Sequence, residues 1–139
     1  MAIIKGVKVV ISKLNNISKQ AELQVKSSIQ RNTDQIFAEA LSAVNVKDNH
    51  LRSSGRTNTQ NPFIGTVSFG GPGAPYAPYV EFGTGKNTAF PPGFEKFAYQ
   101  YYVNGKGRTM PHPYLLPAFI KYRKIFLMDM RKIRKNITK

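Results

Sequence analysis

The sequence predicts an α+β fold made of a long N-terminal helix, a small, mainly antiparallel sheet and a C-terminal basic amphipathic helix. Three observations predict it. Apolar residues recur at helical spacing over residues 13–46, aromatic and β-branched runs punctuated by Gly and Pro occupy residues 63–82, and a second helical stripe covers residues 119–137. A chain of 139 residues is expected to form one domain, residues 1–139, and to bury about two-thirds of the surface its unfolded form exposes.

Taken in order, Ile3, Val7, Val9 and Ile11 share one face of a first strand, with Lys8 and Val10 on the other. Lys5 and Lys8 interrupt the apolar run and no small-residue cleavage pattern follows, so this is not read as a signal sequence. Next, Leu14, Ile17, Ala21, Val25, Ile29, Ile36, Ala40 and Val44 recur at spacings of three, four and seven. A helix over residues 13–46 would be on the order of 50 Å long. That exceeds what a core of this size covers, so part of it, with Ser28, Ala38 and Ser42, is expected to pack on a neighbouring copy. The alternative is a break at residues 31–34.

Residues 47–62 are polar, contain Gly55 and Pro62 and lack periodicity, which predicts a loop that orders on assembly. Phe63, Ile64, Thr66, Val67 and Phe69 predict a strand ending at Gly70, Gly71, Pro72 and Gly73. Residues 76–82 read as a second strand at hairpin or meander distance, confined to an edge by Pro75 and Pro78. Residues 94–103 fit helix or strand equally. The last element, over residues 114–136, carries Phe119, Tyr122, Phe126, Met130 and Ile133 on one stripe, with Pro117 in its first turn. It is expected to close the sheet's open face.

Charge is uneven. The net charge is +14, from 21 Lys and Arg against 7 Asp and Glu. The excess is +3 over residues 1–50, +4 over 51–110 and +7 over 111–139, so half of it lies in the last fifth. Such a field favours an anionic partner. If Lys121, Arg123, Lys124, Arg131, Lys132, Arg134 and Lys135 all met phosphate, log affinity would fall with log salt at a slope of roughly −6. A solvated helix face or docking on an acidic protein surface fits the same residues. Cysteine is absent, which removes disulfides and thiolate chemistry and suits assembly in a reducing cytoplasm. Without 18 uninterrupted apolar residues, a soluble protein with no membrane partner is expected.

Chemistry finds little support. Glu81 is one acid in an apolar run, with no second carboxylate or nucleophile beside it, and is read as a structural carboxylate bonded to Arg or to backbone N–H groups across a subunit contact. His50 and His112 are isolated, which argues against zinc. The GTGK at residues 83–86 has Val80 and Asn87 where a phosphate-binding P-loop needs Gly and Ser or Thr. No metal or cofactor is expected. Of 16 aromatics, 15 follow residue 60, and the cluster Tyr99, Tyr101 and Tyr102 is read as core or subunit packing before base stacking.

Two segments carry a family resemblance. Tyr76, Ala77, Val80, Glu81, Phe82, Gly83 and Thr84 are followed after an insertion by Pro111, Pro113, Tyr114, Leu115, Pro117 and Ala118. Upstream, where the family tends to carry an Asp-Thr-Gly-x-Leu-x-x-Ser-like element, this chain has Asp48, Asn49, His50, Leu51, Arg52, Ser53 and Ser54, without the Thr-Gly pair. Together these resemble the neck and tail-completion proteins of long-tailed bacteriophages. The resemblance implies a non-enzymatic virion protein, assembled in the host cytoplasm as a hexameric or dodecameric ring that joins head connector to tail. It implies subunit contacts through Tyr79, Glu81, Phe82, Thr84, Pro113, Tyr114 and Leu115. The loop holding Gly70, Gly71, Pro72, Gly73, Pro75 and Tyr76 would meet the next ring. Partners would be further copies, the neighbouring connector and tail proteins, and packaged DNA through non-specific contact. A tail terminator and a small basic nucleic-acid-binding protein are the alternatives.

Overall fold

The computed structural model describes residues 2–5, 19–45, 47–104, 107 and 109–137. Its sheet has three strands, β1 (Ala2–Lys5), β2 (Arg56–Asn58) and β3 (Thr66–Phe69), in the order β1-β3-β2. Both outer strands run antiparallel to β3, with Ala2 opposite Phe69 and Arg56 opposite Ser68. Alternation on β3 turns Val67 and Phe69 inward, while β2 is exposed throughout. The expected first strand is present as β1, and its continuation to Ile11 lies outside the described residues.

Helix α1 (Lys19–Ala43) passes through residues 31–34 without a break. Residues 13–18 and Val46 of the expected helix lie outside the described residues. Its stripe of Ala21, Val25, Ile29, Ile36 and Ala40 is buried. Ser28, expected to face another copy, is instead buried against the chain's own C-terminal helix and donates to Asp129 at 2.8 Å. Ala38 and Ser42 are exposed.

The polar stretch 47–62 is more than a loop. It contains α2 (Asn49–Ser53) and β2. Asp48 caps α2 by accepting the Leu51 N–H at 3.0 Å, the usual role of an N-terminal Asp. Leu51 then plugs into the core. A single apolar anchor has no period, which hid this element from pattern reading.

Residues 76–82 depart from expectation most. They form α3 (Ala77–Phe82), a helix instead of a strand. Pro78 sits in its first turn, where the missing N–H has no helical partner to lose. Ala77, Pro78, Glu81 and Phe82 are buried together, a helical stripe that strand alternation would have split across two faces. Aromatic and β-branched residues favour strands only where a neighbouring strand meets them, and the neighbours of β3 are already β1 and β2.

A 3-10 turn (Gly85–Asn87) leads to α4 (Glu95–Asn104), and α5 (Leu116–Ile137) ends the fold. The main packing on the sheet comes from α1, with α5 laid along α1. This corrects the expectation that the last helix closes the sheet. The approach of α1 is close, since a Cβ on Gly65 would stand 1.8 Å from Thr33 Oγ1. One core cluster joins Ile36, Ala40, Leu51, Val67, Phe69 and Tyr114, and another joins Val25 and Ile29 to Phe126 and Ile133. Phe69 stacks on Phe37 at 5.9 Å and meets the Tyr114 ring edge-on at 5.2 Å. Each fully buried aromatic of this kind stabilises the fold by about 1.5–3 kcal/mol.

Candidate functional site

The two segments that stand out in the sequence meet in space. Glu81, 2% exposed, lies under the start of α5. Its Oε2 accepts the N–H groups of Tyr114 and Leu115, both at 3.0 Å, and its Oε1 accepts that of Leu116 at 2.9 Å. These are donors a helix start leaves without intrahelical partners, and a carboxylate there also meets the positive end of the helix dipole. Burial pushes the Glu81 carboxyl above its ordinary range, and the N–H groups of Leu115, Tyr114 and Leu116 oppose that rise.

The clasp extends on both sides. His112 N–H donates to Val80 O at 2.7 Å, Thr84 N–H to Thr109 O at 3.0 Å, and Thr109 N–H to Thr84 Oγ1 at 2.9 Å. Between them Gly83 adopts φ +76°, and a Cβ there would lie 2.8 Å from both Asn87 O and Thr109 O. Only glycine meets both demands.

Of the seven residues expected at subunit contacts, Glu81, Phe82, Thr84, Tyr114 and Leu115 are buried within this one chain. Glu81 meets backbone N–H groups of its own chain. Tyr79 and Pro113 reach the surface. Phe82 stacks on Tyr101 at 5.5 Å, which fastens α4 to the clasp. The carboxylate's partners are main-chain donors 33 to 35 residues away, and no side-chain spacing could announce them.

An open cleft of about 620 Å³ beside the clasp is lined in part by Val44, Asp48, Leu51, Val80, His112 and Tyr114. Its one acid, Asp48, is engaged as the α2 cap and as acceptor of the Tyr76 hydroxyl. Among the described residues no group of three or more His, Cys, Asp and Glu could hold a metal, and no helix is long and apolar enough to cross a membrane.

Comparison with known proteins supplies the decisive observation. A family model described as "Bacteriophage HK97-gp10, putative tail-component" matches residues 8–83, more than half of the chain. The chain belongs to this HK97-gp10-like family. No curated protein and no solved structure gives a match.

In this HK97-gp10-like protein the matched region runs to Gly83 and so takes in Glu81, while α4, α5 and the second half of the clasp follow it. That later region bears two unlike surfaces. On and beside α4, Phe90, Phe97, Tyr99, Tyr102 and Val103 are exposed, Tyr102 by 48%. The tyrosine cluster is thereby divided, with Tyr101 in the core and Tyr99 and Tyr102 outside. The only charges on α4 are Glu95 and Lys96, at its start. On α5, all seven basic residues singled out in the sequence are exposed, with Lys121 paired to Glu39 at 3.1 Å.

The glycine-rich loop is a third surface. Gly70 and Gly71 have φ of +109° and +94°, Pro72, Gly73 and Pro75 are exposed, and the root is tied by the Tyr76 hydroxyl donating to Asp48 at 2.5 Å. That hydrogen bond leads the causes that raise the Tyr76 phenol above its ordinary value.

Proposed function

We propose that this tail component is a non-enzymatic virion protein that forms a ring at the head–tail junction, joining the connector to the tail as a neck or tail-completion protein. Membership of a phage tail-component family gives the setting. The observation that carries the reading further is the aromatic surface of α4, charged only at the helix start. Large apolar groups left open together mark a place where another molecule belongs, and aromatic side chains are enriched at such contacts.

In this reading Tyr79 and Pro113 touch the adjoining subunit directly, as do Tyr99 and Tyr102. Glu81, Phe82, Thr84, Tyr114 and Leu115 act from beneath by holding α4 and the start of α5 in place. The Gly70, Gly71, Pro72, Gly73, Pro75 and Tyr76 loop meets the next ring, since a glycine-rich loop adapts on docking. Assembly takes place in the host cytoplasm and the product sits in the neck of the particle.

Native mass spectrometry of the concentrated protein, paired with imaging of the neck in intact particles, tests this. A closed oligomer in solution or a ring of this chain at the neck is expected. A monomer under the first condition and absence from the neck under the second would overturn it.

A further inference from the structure

The outer face of α5 carries more than charge. Lys124, Leu127, Met128, Arg131 and Lys135 fall at i, i+3, i+4, i+7 and i+11, one side of the helix. Leu127 and Met128 are exposed by 39% and 53%, with Ile125 beside them at 37%. The sole acid of α5, Asp129, faces the other way. It accepts from Ser28 and Arg31, each at 2.8 Å, and from Asn32 at 3.2 Å, all on α1.

We infer that this face docks on an acidic protein surface with an apolar centre, presented by a different virion protein. An apolar middle ringed by polar and charged groups is the anatomy of a protein interface. Phosphate backbones reward the cations alone and leave the exposed Leu127 and Met128 unexplained. A second copy of this chain is a poor occupant, because two such faces repel. The chain's seven acids also offer no complementary patch: Asp48 and Glu81 are caps, Glu39 and Asp129 already hold Lys121 and Arg31, Glu22 pairs with Lys26, Asp34 accepts from Gln30, and Glu95 stands at the start of α4.

This rests on the chain working inside the particle, and it is independent of ring formation. A photo-cross-linking residue in place of Met128 is carried into assembled particles and its adducts are mapped by peptide mass spectrometry. The expected adduct is with a different virion protein, in a segment of net negative charge. Its yield should fall about tenfold when Lys124→Glu and Arg131→Glu are combined, as charge reversal in a complementary interface predicts, and Leu127→Ser should reduce it as well. An adduct with another copy, with DNA, or with nothing overturns the inference and leaves the ring reading standing. If the chain is missing from purified particles, the proposed function fails first, and this inference with it.

Discussion

The clasp around Glu81 and the outer face of α4 treat their demanding groups in opposite ways. In the clasp every demand is met internally: a buried carboxylate finds three N–H donors, and the helix start finds its acceptor. On α4, Tyr99 and Tyr102 lie only 6.0 Å apart and remain open. The fold therefore does not depend on the aromatic face, whereas assembly can. In the proposed ring, stability and association fall to different residues of one connected region, bridged by the Phe82–Tyr101 stack.

The severest way to break that separation is Glu81→Ala. It strands three buried N–H groups and opens a cavity, which predicts a loss of about 3–5 kcal/mol in urea denaturation of the isolated protein. Gly83→Ala should follow at about 2–4 kcal/mol, because it adds strain at positive φ to a clash with two carbonyl oxygens. A fall below about 1 kcal/mol for either variant would show that the clasp is not what holds α5.

Asp129→Asn gives a smaller and pH-dependent effect. Partial burial pushes the Asp129 carboxyl up, but hydrogen bonds from Ser28, Asn32 and Arg31 and the charge of Arg31 pull it further down, leaving it below the ordinary value. A carboxyl lowered in the fold contributes stability above its unfolded value of about 3.9, and that contribution is lost as pH falls through the folded value. Glu81, whose carboxyl is raised, slopes the opposite way. The measurement is therefore the difference between wild type and Asp129→Asn. It should be about 1 kcal/mol near pH 7 and shrink below pH 4. A difference that grows on acidification would refute the assignment.

The smallest effect on stability should come from Tyr102→Ser, within about 0.5 kcal/mol as for other exposed positions, yet native mass should show fewer or no oligomers. Unchanged assembly would move the subunit contact away from α4.

Much of this architecture was readable beforehand, and the failures share a physical cause. Both long helices announced themselves through stripes that bury Val25, Ile29, Phe126 and Ile133 against each other. The strand at Val67 and Phe69 was likewise visible. By contrast, the strand expected at residues 76–82 needed a place beside β3 that β1 and β2 already fill, and α2 rests on a single plug, Leu51, with its Asp48 cap. At the site, the family likeness singled out both segments but placed them at contacts between subunits, not against each other. The direction of the Glu81 bonds could not, because main-chain amides carry no sequence signature.

The cross-link between Thr84 and Thr109 closes the chain on itself before and after the α4 excursion. Helix α4, between those two threonines, hangs from a stem that belongs to the body, with the contacts to Phe82 and Leu116 as its main footing. In the proposed ring, exchanging the outward residues of this arm, Tyr99, Tyr102 and Val103, is expected to change its fit to a neighbour, while Ala98 and Tyr101 keep it seated on the scaffold.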